Sequence, residues 1–160
     1  MEGSGQILLV GDDATEADPQ GLSVRALNSD DGAQLWRYTW NLSSSASNVP
    51  VDLAESVLGD RLFLLDRLNP GSYLLVSLTS EDGDELWRTN LDFPESTDVE
   101  ATCQVIPSGS GDSVFVHLAG SSISRVFGLD AVTGEVLWDC LLYTSPSPRD
   151  QRGSRMPSSA

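Results

Sequence analysis

The sequence predicts an all-β fold, a partial β-propeller of about three four-stranded antiparallel blades with a 51-residue period. Three observations support this prediction. One stretch of sequence occurs three times in the same register, at residues 24–36, 75–87 and 126–138. About four strand-like runs fall in each period, and none has the helical period of about 3.6 residues. Repeats of this length that consist of short strands are typical of propeller blades.

Each copy of the repeat predicts a hairpin. An alternating apolar run, such as residues 22–27, is followed by a polar turn that ends in glycine. Glycine adopts a positive φ at little cost, and Asp or Asn bonds to its own backbone, so this composition is typical of a tight turn. A second apolar run then ends in Leu-Trp. Further strand-like runs occupy residues 6–10, 61–66 and 113–118, and weaker ones occupy 51–57 and 100–106.

Three recurring tryptophans are predicted to dock neighbouring blades together with the turn glycines. They are Trp36, Trp87 and Trp138, with Gly32, Gly83 and Gly134. A small residue also recurs, and the tryptophan is the bulky side chain expected to pack against it; the small positions are Ala26, Ser77 and Gly128. Burying one indole removes about 150–250 Å² from water. At about 25 cal/mol per Å² this stabilises by at most roughly 4–6 kcal/mol.

Residues 1–139 are predicted to form the propeller part of the chain. Closed propellers have about 4 to 8 blades, so three periods predict a fragment with two uncovered sheet faces that folds poorly by itself. The sequence has no signal-peptide pattern and no apolar run of the roughly 18 residues that a membrane span needs. In a fragment, these absences say little about location.

Residues 140–160 differ in composition from the rest of the chain, with a high share of Ser, Pro and Arg. The stretch resembles the conceptual translation of a sequencing adapter at the end of an assembled transcript. A flexible polar tail is the alternative, and both interpretations predict disorder. The predicted outer strand of the third blade therefore stops near Asp139.

The formal net charge is −15 at pH 7, and the chain contains no lysine. An acidic surface repels phosphate groups, so nucleic acid is not a predicted partner. A GC-rich genome, which favours Arg codons, explains the missing lysine, and adaptation to high salt is the alternative.

Few residues are candidates for chemistry. His117 is the only histidine, and a lone histidine in a strand is a poor metal site. Cys103 lies in a strand-like run and is expected to be a small buried hydrophobe. The acidic residues 12–18 lack the ligand spacing of an EF-hand loop and are expected to be a solvated connection. We therefore predict no catalytic residue, no metal and no cofactor.

Asn41 is a candidate N-glycosylation site, because Asn41-Leu42-Ser43 matches the acceptor pattern. It follows the outer strand of the first blade, where a glycan would have room. The pattern is short and often arises by chance, but it agrees with a secretory-pathway compartment.

The repeated stretch resembles the β-propeller repeat named after pyrroloquinoline quinone (PQQ), whose consensus is roughly Ala-Leu-Asp-x-x-Thr-Gly-x-x-x-Trp. Residues 128–138, Gly-Leu-Asp-Ala-Val-Thr-Gly-Glu-Val-Leu-Trp, are close to it, and the repeat covers nearly all of residues 6–139. In this family the tryptophan of one blade docks against its neighbour, and most members do not bind the quinone.

The chain also resembles the lumenal propeller of subunit 1 of the endoplasmic reticulum membrane protein complex. The stretches that carry this resemblance are residues 24–36, 75–87, 93–100, 104–106 and 116–122, in that order. It implies a non-catalytic scaffold on the lumenal side of the endoplasmic reticulum membrane, in a complex that inserts transmembrane segments of client proteins. Other subunits of that complex and its clients are the implied partners.

Two other functions stay open at the level of the sequence. A PQQ-dependent oxidoreductase adds calcium ligands, a catalytic Asp and, in some members, a vicinal Cys pair; no vicinal pair occurs in this chain. A bacterial outer-membrane assembly lipoprotein or an archaeal surface propeller also fits the repeats. These alternatives imply a periplasmic or extracellular location.

Overall fold

The computed structural model describes residues 5–12, 21–41, 52–69, 71–93, 102–120 and 123–143. Eleven β-strands and no helix lie in these ranges. The strands form three antiparallel sheets in chain order, and each sheet is one blade. The predicted all-β fold, a partial β-propeller, is confirmed.

Each blade is a simple antiparallel meander. Blade 1 consists of β1 (Gln6–Asp12), β2 (Gly21–Asn28) and β3 (Gln34–Asn41). Blade 2 consists of β4 (Asp52–Glu55), β5 (Arg61–Asn69), β6 (Ser72–Thr79) and β7 (Glu85–Asp92). Blade 3 consists of β8 (Thr102–Pro107), β9 (Ser113–Ala119), β10 (Ile123–Asp130) and β11 (Val136–Tyr143). Blade 1 therefore has three strands within the described ranges, whereas the other two blades have the predicted four.

The repeated hairpins β2–β3, β6–β7 and β10–β11 share one turn geometry. The turn glycine has a φ of 72° at Gly32, 72° at Gly83 and 74° at Gly134. Its N–H donates to the carbonyl of the residue that opens the turn, at 2.9 Å for Gly32 and Asn28 and at 2.9 Å for Gly134 and Asp130. Positive φ is strained for residues with a side chain, which explains why glycine recurs at this position.

The recurring small residue lies directly across each hairpin from the tryptophan. The cross-strand pairs are Ala26 with Trp36, Ser77 with Trp87 and Gly128 with Trp138, and the register shifts immediately after each pair. At Gly128 the fit is close, because an added Cβ would lie 2.3 Å from Cε2 of Trp138. A larger residue would displace the indole from the sheet.

Two apolar cores fill the spaces between the blades, and blade 2 contributes to both. The core between blades 1 and 2 contains Val24, Ala26 and Trp36 with Leu62, Leu64, Leu74, Val76 and Leu78. The core between blades 2 and 3 includes Phe63, Leu65, Tyr73 and Leu75 with Val114, Val116, Leu118 and Leu129. Residues 62–66 and 73–78 are consequently buried without a break, since both faces of β5 and β6 are covered.

The last strand continues past the predicted end of the propeller at Asp139. In β11, Cys140 pairs with Val126 and Tyr143 pairs with Ile123. The predicted boundary between residues 139 and 140 therefore falls inside a strand. It was predicted from a change in composition, which carries no information about backbone pairing. Residues 144–160 lie outside the described residues, and their disorder stays a prediction.

No helix in the described ranges has the length and apolar character needed to cross a bilayer.

Candidate functional site

The joint between blades 1 and 2 centres on Trp36, whose side chain is 7% exposed. Its indole Nε1 donates to the main-chain carbonyl of Ser80 at 3.0 Å. The ring also covers Gly83, where an added Cβ would lie 2.3 Å from Cε3 of Trp36. Both partners belong to the β6–β7 turn of the next blade. The bare α-carbon of the glycine lets the indole reach the main chain.

The joint between blades 2 and 3 repeats this arrangement with Trp87. Its Nε1 donates to the carbonyl of Ala131 at 3.1 Å, and a Cβ added at Gly134 would lie 2.4 Å from its Cε3. Ala131 and Gly134 each lie 51 residues after the corresponding residues of the first joint, Ser80 and Gly83. The carbonyl acceptor thus stands three residues before the glycine in both joints. We call this arrangement the Trp joint.

The third tryptophan, Trp138, is 46% exposed. Within its own blade it lies against Gly128 and beside the ring of Phe115, at 5.9 Å between ring centroids. At the other end of the blade series, no atom of the described residues lies within 4 Å of a Cβ added at Gly32. Of the six residues predicted to dock blades, the structure places four in Trp joints and leaves Trp138 and Gly32 at the two ends.

Two hydrogen bonds that do not recur in the repeat also connect blades 2 and 3. Asp52 Oδ2 accepts a hydrogen bond from the Val105 amide at 2.7 Å, which links β4 to β8. Arg125 Nη1 donates to the carbonyl of Asp92 at 2.6 Å, which links blade 3 to the end of β7. Nothing in the repeat pattern signals these contacts, because each depends on a residue that only one blade carries.

A phenol and a carboxylate also connect blades 1 and 2. Tyr38 donates to Glu85 Oε2 at 2.5 Å, and Arg88 Nε donates to Glu85 Oε1 at 2.6 Å. Burial, and then the Glu85 carboxylate, raises the pKa of Tyr38 above its usual range. The hydrogen bond from Arg88, and then that from Tyr38, lowers the pKa of Glu85. The protonated phenol and the ionised carboxylate are thus the favoured pair.

Cys103 and His117 lie on the adjacent strands β8 and β9 but on opposite faces of the sheet, because Cys103 pairs with Leu118 and His117 pairs with Gln104. His117 is half-buried, and its Nε2 lies 3.0 Å from Ser124 Oγ on the adjacent strand. Cys103 is buried in the core between blades 2 and 3, and burial raises the pKa of its thiol. Within the described ranges, no group of three His, Cys, Asp or Glu side chains is arranged to hold a metal ion. Asn41 ends β3, and the rest of its tripeptide lies outside the described residues.

A cavity of about 320 Å³ lies beside the first Trp joint. Its lining residues are Gln6, Leu8, Glu55, Gly59, Leu62, Ser80 and Glu81. The two carboxylates make this opening acidic, in keeping with the net charge of the chain.

Comparison with known proteins identifies the repeat class. A family model of the PQQ type, described as outer membrane protein assembly factor BamB, matches residues 18–158. No curated protein matches the chain. These findings support the PQQ-like repeat and give no support to the finer resemblance to the endoplasmic reticulum complex subunit.

Several solved structures superpose on most of the chain. BamB from Moraxella catarrhalis does so with a TM-score of 0.53 at 20% identity, over 86% of this chain and 34% of that one. A europium-containing methanol dehydrogenase gives 0.59 at 21% identity, over 92% and 24%. The quinohemoprotein alcohol dehydrogenase ADHIIG from Pseudomonas putida HK5 gives 0.50 at 20% identity, over 78% and 18%.

Identities at this level show the fold alone, and the neighbours include both an assembly factor and dehydrogenases. The chain spans 34% of the BamB chain and 24% of the methanol dehydrogenase chain. The family model covers residues 18–158, which include the three repeated hairpins and both Trp joints. The chain belongs to the PQQ-repeat family described as outer membrane protein assembly factor BamB.

Proposed function

We propose that this chain is part of a non-catalytic scaffold propeller of the outer-membrane assembly-factor type. The observation that carries the proposal is the family match over residues 18–158. It favours the bacterial alternative predicted from the sequence over the endoplasmic reticulum complex. The proposed location is the periplasmic side of the outer membrane, and the proposed partners are subunits of a membrane-protein assembly complex.

The recurring tryptophans and glycines make contacts between blades, and this structural role supports a scaffold function. Trp36 and Trp87 hydrogen-bond to main-chain carbonyls of the next blade, and Gly83 and Gly134 provide the surfaces on which they lie. Residues that hold blades together at fixed spacing give a rigid surface, which is what a docking protein needs.

A row of exposed leucines is our candidate for the partner-binding surface. Leu35, Leu86 and Leu137 occupy equivalent positions 51 residues apart on β3, β7 and β11, and they are 47%, 45% and 55% exposed. Isolated exposed leucines are common, but here an exposed leucine recurs at the same position in three successive blades. We call this set the leucine row and propose that a protein partner packs on it.

Binding to a purified assembly complex tests this function. The full chain is titrated against an outer-membrane protein assembly complex prepared from cells that lack BamB. We expect saturable binding, which the pair of substitutions Leu86→Ser and Leu137→Ser weakens about tenfold or more, because interface apolar anchors carry much of the affinity. The control is Val57→Ser, which removes an apolar side chain that is 62% exposed and lies outside the leucine row.

The same samples discriminate against the quinoprotein alternative. PQQ and Ca²⁺ are added to the full chain, and the absorbance of the quinone is followed. A saturable spectral change with no binding to the assembly complex would overturn the scaffold proposal and favour an oxidoreductase. Equal affinity of the leucine-row variant and the unchanged chain would overturn the proposed surface.

A further inference from the structure

In the Trp joint between blades 2 and 3, an arginine shares the acceptor with the indole. Arg61 Nη1 donates to the Ala131 carbonyl at 3.0 Å, and Trp87 Nε1 donates to the same oxygen at 3.1 Å. Arg61 belongs to blade 2, as the tryptophan does. The carbonyl at the centre of this joint therefore has two donors, an indole N–H and a guanidinium.

Gln6 stands in the place of Arg61 at the joint between blades 1 and 2. Arg61 pairs with Thr79 across its sheet, and Gln6 pairs with Asn28, which lies 51 residues before Thr79. The two side chains thus start from the same point of the repeat, at the beginning of the strand beside the repeated hairpin. Glutamine is shorter than arginine and uncharged, so this joint lacks the guanidinium.

The acceptor carbonyl between blades 1 and 2 consequently has one donor. Trp36 Nε1 donates to the Ser80 carbonyl at 3.0 Å, and no second donor to that oxygen is among the hydrogen bonds of the described residues. Gln6 and Ser80 both line the cavity of about 320 Å³. The opening thus corresponds to the place that the Arg61 side chain takes at the next joint.

The walls of this cavity suit a long cationic side chain. Glu55 and Glu81 contribute two carboxylates, and neither has a hydrogen bond or ion pair in the described part of the chain. Leu8 and Leu62 contribute apolar surface, against which the methylene stem of such a side chain can pack. Ser80 is 9% exposed, and its Oγ has no hydrogen-bond partner among the described residues. An unsatisfied buried hydroxyl lowers stability, which favours a site completed by a ligand.

These carboxylates are specific to the joint that lacks the arginine. Glu81 corresponds to Val132, which lies 51 residues later. Glu55 corresponds to Pro107, because each comes directly before the serine that opens the turn between the first two strands of its blade. The joint between blades 2 and 3 therefore has an arginine and neither carboxylate, whereas the joint between blades 1 and 2 has both carboxylates and no arginine.

We propose that this cavity binds an arginine side chain of a protein partner, whose guanidinium donates to the Ser80 carbonyl and pairs with Glu55 and Glu81. A guanidinium has five N–H donors, enough for the carbonyl and both carboxylates. The net charge of −15 favours the approach of a basic segment. The proposal goes beyond the scaffold function, since it requires neither the leucine row nor an outer-membrane complex.

The indole N–H signals in ¹H–¹⁵N NMR spectra of the full chain test the proposal. The probe is N-acetyl-Gly-Arg-Gly-amide, titrated at about 0.15 M salt to screen the general attraction of an acidic surface. We expect a saturable shift of the Trp36 signal, because the guanidinium shares its acceptor, and little change for Trp87, whose acceptor already bonds to Arg61. The same peptide with citrulline, which has a similar shape and no charge, should bind about tenfold more weakly or less.

Gln6→Arg supplies the missing side chain from within the chain. Its guanidinium should reach the Ser80 carbonyl as Arg61 reaches that of Ala131, and the saturable shift of the Trp36 signal should disappear. Because this variant leaves the leucine row unchanged, it should bind an outer-membrane assembly complex as the unchanged chain does. The two proposals can therefore fail separately.

A matched pair of double variants separates the cavity from the acidity of the surface. Glu55→Gln with Glu81→Gln removes both cavity carboxylates and should weaken peptide binding about tenfold or more. Asp82→Asn with Asp84→Asn removes two exposed carboxylates from the β6–β7 turn that do not line the cavity, and it should change binding by about twofold or less. Circular dichroism confirms that each variant has kept its sheets.

Four results would overturn the proposal. They are the absence of a saturable shift, equal shifts of the Trp36 and Trp87 signals, equal affinity for the citrulline peptide, and unchanged binding in Gln6→Arg. Equal weakening by the two double variants would also overturn it, because the peptide would then respond only to the overall charge of the surface.

Discussion

At the scale of single residues, the turn glycine meets two separate demands. Gly32, Gly83 and Gly134 all have φ between 72° and 74°, so all three need the freedom of glycine. Of the three, only Gly83 and Gly134 also lie against an indole; a Cβ added at Gly32 meets no atom of the described residues within 4 Å. The two demands can therefore be separated by substitution.

Gly83→Ala should destabilise the chain more than Gly32→Ala. Both substitutions carry the strain of positive φ, roughly 1–2 kcal/mol. Gly83→Ala also places a Cβ 2.3 Å from Trp36, and overpacking of this kind costs about 1–3 kcal/mol more. Urea unfolding of the two variants measures this difference, and equal midpoints would show that the indole moves away freely.

Tyr38 should make the chain lose stability at alkaline pH. Its folded-state pKa is raised above the ordinary value of 10.0, so its contribution is present below pH 10 and is lost as pH rises through the higher folded pKa. Tyr38→Phe should remove this loss, and Glu85→Gln should reduce it, because burial is the larger cause of the shift. Unfolding free energies measured from pH 9 upward test this, and an unchanged slope in Tyr38→Phe would contradict it.

The exposure of Trp138 shows where sequence reasoning stops at this scale. Trp36, Trp87 and Trp138 occupy identical positions in the repeat, and the pattern predicts the same role for all three. Trp36 and Trp87 lie against the next blade within the described residues, whereas Trp138 belongs to the last described blade. The contacts of a tryptophan with a neighbouring blade are not encoded in its own hairpin. The cross-strand match of tryptophan with a small residue was predictable, since both partners lie in one hairpin.

At the scale of elements, short strands depend on contacts outside their own hairpin. β4 has only four residues and pairs with β5 alone in its sheet. Asp52 links β4 to blade 3 by accepting a hydrogen bond from the Val105 amide, and Val105 is 6% exposed. A buried amide without an acceptor lowers the stability of the fold, so this single carboxylate stabilises the contact between blades 2 and 3.

Asp52→Ala should destabilise the chain by about 1–3 kcal/mol, the cost of an unsatisfied buried amide. Asp52→Asn should cost less, because its amide oxygen can still accept the hydrogen bond. Hydrogen exchange of the Val105 amide measures the effect locally, and it should accelerate in Asp52→Ala. Glu55→Ala, an exposed change at the other end of β4, serves as the control.

The element boundaries also show what sequence could and could not give. The predicted runs 51–57 and 100–106 contain or overlap β4 and β8, because apolar and β-branched residues mark strands well. The end of β11 was misplaced, since a change in composition near residue 140 concealed four residues whose backbone pairs with β10. Pairing depends on the partner strand, and composition contains no information about it.

At the scale of the whole molecule, blade 2 is the structural centre. Its strands β5 and β6 are buried on both faces, whereas blades 1 and 3 each pack against one neighbour in the described structure. Stability in repeat proteins is approximately a sum of repeat and interface terms. In the 160-residue chain, blades 1 and 3 should therefore open more readily than blade 2.

Hydrogen exchange should reveal this order, with the slowest amides in β5 and β6. Trp36→Ala should cost about 3–5 kcal/mol and release blade 1 selectively, because it removes the centre of one joint. Amides of β2 and β3 would then exchange faster while those of β9 and β10 change little. Uniform acceleration in all three blades would indicate one cooperative unit instead.

Each Trp joint ends on a main-chain oxygen, and the acceptors in the two joints are Ser80 and Ala131, two different amino acids. The joint therefore does not depend on the side chain of the acceptor residue. It requires only a glycine three residues later, where the indole lies on the α-carbon. A gene segment that encodes one blade encodes both the tryptophan and the turn that accepts the tryptophan of the preceding blade. Tandem duplication can lengthen such a protein without inventing a new interface, and each copy is then free to diverge on its outer surface.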